Sequence, residues 1–237
     1  MSCVQRLQTA MPDLATANRQ LASMAADARI DWALAHLPGR AVLSSSFGVQ
    51  AAVMLHLVTR QQPDIPVLFV DTGYHFPETY RFVDQLGERL SLNLEVCRAE
   101  LSPAWQEARF GRRWEQGRKG IEDYNQANKV EPLQRKLDEL DACIWLSGIR
   151  RSQAPSRQAI DYLTVQWQRY KLHPIADWSD RDVHLYLKRH DLPYHPLRDR
   201  GYLSIGDWHT TRSLAEVDDL ADLRFHGLVR ECGLHQS

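Results

Sequence analysis

The sequence predicts an α/β fold with a mainly parallel sheet flanked by helices, and two observations carry that prediction. Four short apolar runs have the length and composition of buried strands: residues 40–43, 65–70, 92–97 and 143–149. Segments of helix-forming composition lie between them, at residues 49–60, at residues 78–90 and in a longer polar stretch that ends near Leu140. Strands that alternate with helices at this spacing are typical of parallel sheets.

The segments on either side of these runs complete the predicted organisation. Residues 13–37 carry apolar side chains at helical spacing until Pro38 and Gly39 end the pattern, which predicts one or two leading helices. Residues 162–175 alternate like a strand pair, and Ser179 with Asp182 caps a predicted helix that continues to about His190. We therefore divide the chain into N-terminal helices, an α/β domain and a mobile C-terminal tail: residues 1–39, 40–212 and 213–237.

Composition and charge exclude several classes of protein. The 237 residues are 43% hydrophobic, and 29 Lys and Arg side chains are balanced by 30 Asp and Glu, so the net charge is −1. No overall positive field attracts nucleic acid or an anionic membrane. No run approaches the roughly 20 apolar residues of a membrane span, and the first 13 residues lack the order of a signal peptide. We expect a cytoplasmic protein without nucleic-acid or membrane partners.

The four cysteines, Cys3, Cys97, Cys143 and Cys232, are too far apart in the sequence for a disulfide framework or a zinc site. Cys97 and Cys143 lie in apolar runs and are expected to pack in the core. Cys232 lies between Glu231 and Gly233, and it alone looks exposed enough to react. From composition alone it is either a thiol on a segment that can move or an accidental cysteine in a frayed tail.

Polar residues follow three of the predicted strands, and the carboxyl ends of parallel strands bind ligands. The turn at residues 44–48 places three serine hydroxyls at the beginning of a helix, where a phosphate or sulfate binds readily, although serines there also cap helices. Asp71, Thr72 and Gly73 supply an acceptor and a donor, or form an ordinary turn. After the fourth strand, Arg150, Arg151 and Arg157 are suited to phosphate contacts, or are solvated surface. These ends are expected to converge on one pocket.

Histidines are plentiful in the second half of the chain, but none has the spacing of a metal site, so we expect no metal. His209 is distinctive because residues 207–212 combine a carboxylate, an imidazole, two hydroxyls and a guanidinium. His190 and His195 are expected to cap or pack.

Seven segments together resemble the thioredoxin-dependent 3′-phosphoadenylyl sulfate (PAPS) reductases: SSSFGVQ at 44–50, VDTGY at 70–74, WQEAR at 105–109, KVEPL at 129–133, GIRR at 148–151, HTTR at 209–212 and ECGLH at 231–235. The resemblance implies an adenine nucleotide α-hydrolase-like fold in which the first turn is a modified pyrophosphate loop. ATP-cleaving relatives have an acidic residue in that loop, whereas residues 44–50 have none. This departure favours a sulfonucleotide ligand.

A second departure separates the two reductase branches. Adenylyl sulfate (APS) reductases that hold a [4Fe-4S] cluster have a Cys-Cys pair before the KVEPL segment and a C-x-x-C before the Thr-Arg pair. The corresponding positions here are Tyr124, Asn125, Asp207 and Thr210. Since iron in such clusters needs thiolate ligands, the resemblance implies PAPS as substrate and no bound cofactor. A cluster-free APS reductase stays an alternative.

The resemblance also implies a mechanism. Cys232 attacks the sulfonyl sulfur, a Cys-S-sulfonate forms, and thioredoxin or glutaredoxin releases sulfite; a homodimer is expected. Lys129 and Arg224 are nearest the sulfonate by family position. The residues expected to bind substrate are Ser44, Ser45, Ser46, Phe47, Gly48, Asp71, Thr72, Gly73, Lys129, Gly148, Arg150, Arg157, His209, Arg212 and Arg224.

Two further alternatives come from other functional classes. One is an ATP-dependent adenylyl-transferring enzyme of the same fold, and the other is a nucleotide-binding module without redox chemistry. Turnover of ATP would select the first, and sulfonucleotide binding without protection of a thiol would select the second.

Overall fold

A computed structural model describes residues 13–225 together with Cys3 and Leu234. Cys232 lies outside the described residues, as does most of the predicted tail beyond Phe225. Within the part of the chain that is described, no helix is both long and apolar enough to cross a membrane.

The described chain contains six strands and eight α-helices. The strands are β1 Arg40–Ser44, β2 Pro66–Val70, β3 Asn93–Cys97, β4 Ala142–Ser147, β5 Leu163–Gln166 and β6 Arg169–Leu172. The helices are α1 Leu14–Ala22, α2 Ala26–His36, α3 Ala52–Thr59, α4 Pro77–Leu90, α5 Pro103–Phe110, α6 Gly117–Asn125, α7 Glu131–Glu139 and α8 Asp180–Arg189. A π-helical turn, Gln126–Val130, joins α6 to α7, and short 3₁₀ turns follow β4 and α8.

The six strands form one sheet in the order β3-β2-β1-β4-β6-β5. Every neighbouring pair is parallel except β5 with β6, which form an antiparallel hairpin. The chain leaves β1 toward β2 on one side and returns to β4 on the other, so the strand order reverses beside β1. Open α/β sheets bind ligands outside the carboxyl ends of their strands at such a point.

The central strands are buried on both faces because helices cover the sheet on each side. All six residues of β4 are buried, and apolar side chains of β1 and β2 pack against α3 on one face and α7 on the other. Cys97 and Cys143 are buried in these layers, which confirms their expected place in the core. The predicted α/β class and the mainly parallel sheet are therefore confirmed.

Two predicted boundaries differ from the structure at the edge where ligands would bind. The helix expected from residue 49 begins at Ala52, because residues 48–51 form a tight turn in which the Ala51 N–H donates to the Gly48 carbonyl. The strand expected to reach residue 149 ends at Ser147, which leaves Gly148 and Arg150 in the loop beyond it. The capping of α8 is confirmed, since the Ser179 and Asp182 side chains each accept from the other residue's backbone N–H.

Candidate functional site

A cavity of about 310 Å³ opens at the carboxyl edge of the sheet. Its walls come from the loops after β1, β2 and β4, from the π-helical turn and from residues 203–207. Ten of the predicted substrate-binding residues line it: Ser44, Ser45, Ser46, Gly48, Thr72, Lys129, Gly148, Arg150, Arg157 and Arg224. The three predicted strand ends thus meet at one cavity, which is within the size range of small-ligand pockets.

Five predicted residues do not line the cavity. Phe47 is fully buried and packs edge-on against Phe69, with a positive φ of 48° that turns its side chain into the core. Arg212 is exposed, and its backbone N–H donates to the Leu223 carbonyl. The other three, Asp71, Gly73 and His209, have partners that give each a definite structural role.

Asp71 and Gly73 shape the loop that follows β2. The Asp71 carboxylate accepts hydrogen bonds from the Tyr80 hydroxyl at 2.7 Å, the Gly73 N–H at 2.9 Å and Arg98 Nε at 2.9 Å. Burial by itself raises the pKa of Asp71, but these donors outweigh it and lower the pKa. Gly73 has a φ of 75°, and a Cβ there would lie 2.5 Å from the Pro103 ring, so glycine is required where the loop meets α5.

His209 belongs to an aromatic cluster that includes Tyr124, whose ring centroid lies 5.3 Å from the Lys129 ammonium. The His209 ring stacks on Trp114 at 3.8 Å between centroids and meets Tyr74 and Tyr124 edge-on. Neither ring nitrogen has a hydrogen-bond partner among the described residues. Burial lowers the pKa of His209 to about 4, so the imidazole is neutral near pH 7.

Serine hydroxyls fix the turn after β1. Trp145 Nε1 donates to Ser44 Oγ at 2.7 Å, and the Phe47 N–H donates to Ser45 Oγ at 3.1 Å. Ser46 is the exposed member of the three. None of the three serines caps α3, whose N-cap is Ala51 and has no side-chain hydrogen bond, and all three line the cavity.

Arg150 is 3% exposed and is held by four acceptors. Its Nη2 donates to Asp180 at 2.7 Å and to Gln50, and its Nη1 donates to Ser152 at 3.1 Å and to the Trp178 carbonyl at 3.2 Å. The hydrogen bond from Arg150 is the largest influence on Asp180 and lowers its pKa. The side chain thus links the first turn, the loop after β4 and the beginning of α8.

Lys129 and Asp207 form a buried ion pair, and both residues line the cavity. Lys129 Nζ lies 2.7 Å from Asp207 Oδ2, and the Thr72 hydroxyl donates to Asp207 Oδ1 at 2.5 Å. The two side chains are 8% and 0% exposed. Burial alone would raise the pKa of Asp207, but the Lys129 ammonium, with His75 and Thr72, holds it well below its usual range.

The small residues Gly206 and Ser204 leave room for the Arg224 guanidinium. The guanidinium lies over Gly206, where an added Cβ would come within 2.2 Å of Nη2, and Nη1 donates to Ser204 at 3.4 Å. The backbone of Arg224 forms a β-bridge with Thr211. Residues 204–211 thus hold this guanidinium at the cavity wall.

Leu234 also lines the cavity, although it lies far along the chain from the other walls. Its carbonyl accepts from Lys171 Nζ at 2.8 Å and from Gln166 Nε2 at 3.4 Å, and its side chain packs against the cluster that contains Leu133 and Trp145. Leu234 is therefore bound to the β5–β6 hairpin beside the cavity.

Sequence reasoning missed six polar residues that line this site: Gln50, His75, Ser147, Gln153, Ser204 and Asp207. Asp207 could have been predicted, because it begins the polar cluster at residues 207–212, but the prediction selected His209 instead. Gln50 and Gln153 hold arginines, since their side chains accept from Arg150 and Arg157, and such pairings need the fold to be seen. Among the described residues, no three His, Cys, Asp or Glu side chains converge as metal ligands.

Residues 40–213 match the protein family described as the phosphoadenosine phosphosulfate reductase domain. The chain belongs to this family. A phosphoadenosine 5′-phosphosulfate reductase of Alkalilimnicola ehrlichii is 63% identical over 94% of this chain and 91% of its own length. The corresponding protein of Zymomonas mobilis is 60% identical with the same coverage.

Solved structures agree with this assignment. A PAPS reductase from Candida auris, in a phosphate complex, superposes with a TM-score of 0.74 and 27% identity, covering 84% of this chain and 96% of that one. FMN adenylyltransferase of Candida glabrata shares the fold at a TM-score of 0.60 and 16% identity, covering 92% and 72% of the two chains. The predicted adenine nucleotide α-hydrolase-like fold is confirmed.

Proposed function

We propose that the protein reduces PAPS to sulfite and adenosine 3′,5′-bisphosphate in assimilatory sulfate reduction, with Cys232 as nucleophile and thioredoxin, or alternatively glutaredoxin, as reductant. Membership of the PAPS reductase family and relatives at about 60% identity support the reaction. The observation that carries the role of the tail is the position of Leu234 at the cavity wall. Only Gly233 separates Leu234 from Cys232, and two residues of chain span at most about 7 Å.

The reaction balances without a bound cofactor. The Cys232 thiolate attacks the sulfonyl sulfur, a sulfur–sulfur bond forms, and the bond from sulfur to the phosphate oxygen breaks, releasing adenosine 3′,5′-bisphosphate. One thiolate of the external dithiol then attacks Sγ of Cys232 and displaces sulfite. The second thiolate closes the reductant's disulfide, so the dithiol supplies both electrons and Cys232 is regenerated.

The cations of the cavity suit a substrate with several negative charges. Arg150, Arg157 and the turn at residues 44–48 lie in the loops after β4 and β1, and we assign them to the phosphate groups of the nucleotide. We assign Lys129, in the π-helical turn, and Arg224 to the sulfonate and to the charge that develops on the departing phosphate oxygen.

The described cysteines are poor competitors for the nucleophilic role. Cys3, Cys97 and Cys143 are all buried. Burial raises the pKa of the Cys97 thiol to about 12, and burial with a hydrogen bond to Cys143 raises that of Cys3 to about 12. Because the thiolate is the nucleophile, the thiols of Cys3 and Cys97 stay protonated and unreactive near neutral pH.

Intact-mass analysis tests the proposal directly. The protein is incubated with PAPS or APS without reductant, and the site of any added sulfonate is mapped. We expect an adduct with PAPS at Cys232 that is released as sulfite on adding thioredoxin. Cys232→Ser should form none, whereas the matched variant Cys97→Ser should behave like the wild type. An adduct with APS alone would identify APS as the substrate instead of PAPS. The absence of an adduct with either compound would favour a nucleotide-binding module without redox chemistry.

A further inference from the structure

We infer that Asp207 is a positioning residue for sulfonyl transfer, which holds the Lys129 ammonium at the cavity wall and preserves its charge there. This inference rests on the proposed function, because it assigns a partner to a cation that would face the sulfonate. Asp207 places a negative charge at a site whose proposed ligand is also an anion, which is unfavourable unless the carboxylate has a specific role.

The position of Asp207 is set by the loop that follows β2. Asp207 forms a β-bridge with His75, and the Trp208 N–H donates to the Tyr74 carbonyl at 2.9 Å. The Thr210 N–H donates to the Asp207 carbonyl at 3.1 Å. The backbone on both sides of the carboxylate is thus fixed to the sheet edge that forms the cavity.

Lys129 has a different kind of support. It lies in the π-helical turn, and π-helical turns occur frequently at functional sites. Its Nζ lies 5.3 Å from the Tyr124 ring centroid and 5.1 Å from that of Phe225. Among the described residues, Asp207 supplies the one side-chain oxygen in contact with this ammonium. An ammonium has three N–H donors, so the pair leaves donors for a ligand in the cavity that both residues line.

The carboxylate is oriented by a neutral donor on its other oxygen. Thr72 holds Oδ1, which leaves Oδ2 to face Lys129. An ammonium buried without a counter-charge favours its neutral form, and a neutral amine would lose most of its attraction for a sulfonate. Asp207 therefore keeps the cation in place before substrate arrives. The titratable and charged groups around the pair are His75, Tyr74, Tyr80, Tyr124, His209 and Arg224.

The test compares pH profiles of adduct formation at Cys232 in Asp207→Asn and in the wild type. Asparagine keeps the size and the acceptor for Thr72 but removes the charge, so Lys129 should lose its proton as pH rises. We expect the ratio of variant to wild-type rate constants to fall at least about tenfold between about pH 6.5 and about pH 9. Taking the ratio cancels the ionisation of the Cys232 thiol.

Two variants separate this role from a merely structural one. The first is the double variant Asp207→Asn/Lys129→Arg, compared with Lys129→Arg alone. Because a guanidinium keeps its charge at these pH values, the ratio of their rate constants should not change with pH. Asp138→Asn is the matched control, because Asp138 pairs with the buried Arg169 at the opposite, amino end of β6. It should leave the ratio constant with pH.

The outcomes are distinct from failure of the proposed function. If the wild type forms no adduct with PAPS, the proposed function fails. If it does, and the ratio for Asp207→Asn is the same at every pH, the inference is overturned. Should Asp207→Asn not fold, Thr72→Val serves instead, since it loosens the same carboxylate; we expect a smaller fall in the same direction, and a constant ratio would equally overturn the inference.

Discussion

Two ion pairs at the same cavity have the same length and opposite surroundings. Arg150 Nη2 lies 2.7 Å from Asp180, and Lys129 Nζ lies 2.7 Å from Asp207. The Asp180 side chain is 79% exposed, whereas that of Asp207 is fully buried. Water can replace the partner of the first carboxylate but not that of the second. Distance alone therefore does not tell which pair is energetically critical.

The two cations also differ in how firmly they are fixed. Arg150 has four acceptors from three parts of the chain, so its guanidinium is fixed in position and connects these loops. Lys129 has one carboxylate and two aromatic faces, so its ammonium keeps N–H donors for a ligand while the ion pair stays intact. The first arrangement suits a binding wall, and the second suits a group that responds to charge developing during a reaction.

The largest effect is expected from Lys129→Met. It leaves Asp207 buried and uncompensated, which should lower the free energy of unfolding by about 3–5 kcal/mol. Adduct formation at Cys232 should slow at least about 100-fold, as when a preorganised donor is removed from an active site. Urea unfolding and the mass assay measure the two effects. The matched variant Lys119→Met breaks an exposed pair with Asp123 and should cost about 0.5 kcal/mol or less; equal losses in the two variants would contradict the contrast.

Arg150→Met should be milder in stability and act mainly on binding. Asp180 can hydrate when its partner is lost, so we expect a loss of about 1–3 kcal/mol in unfolding free energy. The KM for PAPS should rise about tenfold, which corresponds to about 1.4 kcal/mol, with a smaller change in kcat. Steady-state kinetics with thioredoxin check this. A larger fall in kcat than in affinity would place Arg150 in the chemical step and erase the distinction from Lys129.

Gly206→Ala tests the third cation of the cavity. The new Cβ would overlap the Arg224 guanidinium, which is the end of a flexible side chain and can move away. We expect a roughly fivefold rise in KM, or about 1 kcal/mol, with little loss of stability. Gly87→Ala is the control, because a Cβ in that part of α4 meets nothing within 4 Å and should stabilise the helix by about 0.5–1 kcal/mol. An unchanged KM in Gly206→Ala would remove Arg224 from the binding wall.

The sequence was sufficient for the fold because strand and helix signals alternate along the chain and the strands are short and apolar. It also identified the edge where the cavity lies, since the carboxyl ends of parallel strands meet by topology. Ser46, Thr72 and Gly148 were therefore found without seeing the structure. The sequence pattern identifies the edge of the sheet that binds ligands, but it does not show which residues along that edge face the cavity.

The orientation of individual side chains needed the structure. Asp71 and Thr72 are adjacent in sequence, yet Asp71 is turned toward Tyr80 and Arg98 while Thr72 lines the cavity. The same applies to Asp207 and His209, of which the sequence favoured the histidine. The role of Asp207 depends on its contact with Thr72, which is 135 positions away in the sequence. No local sequence pattern encodes such a contact.

The smallest effect tests whether water is excluded from the aromatic cluster that contacts Lys129 through Tyr124. An unfolded histidine takes up a proton below its ordinary pKa of 6.5, whereas buried His209 does so only at about 4. Between these values the unfolded chain binds more protons, so this residue makes stability fall as pH drops from 6.5 to 4. His209→Phe keeps a ring against Trp114 and removes that contribution, so the decline in unfolding free energy over this window should become shallower.

Stability of His209→Phe near pH 7.5 should equal or exceed that of the wild type, because the phenyl ring buries no nitrogen without a partner. His184→Gln, which changes an exposed histidine on α8, is the matched control and should leave the slope as it is. Urea titrations at several pH values provide the measurement. A slope unaltered by His209→Phe would mean that water reaches the imidazole. The burial that makes the Lys129–Asp207 pair costly to break would then not extend to the neighbouring aromatic cluster.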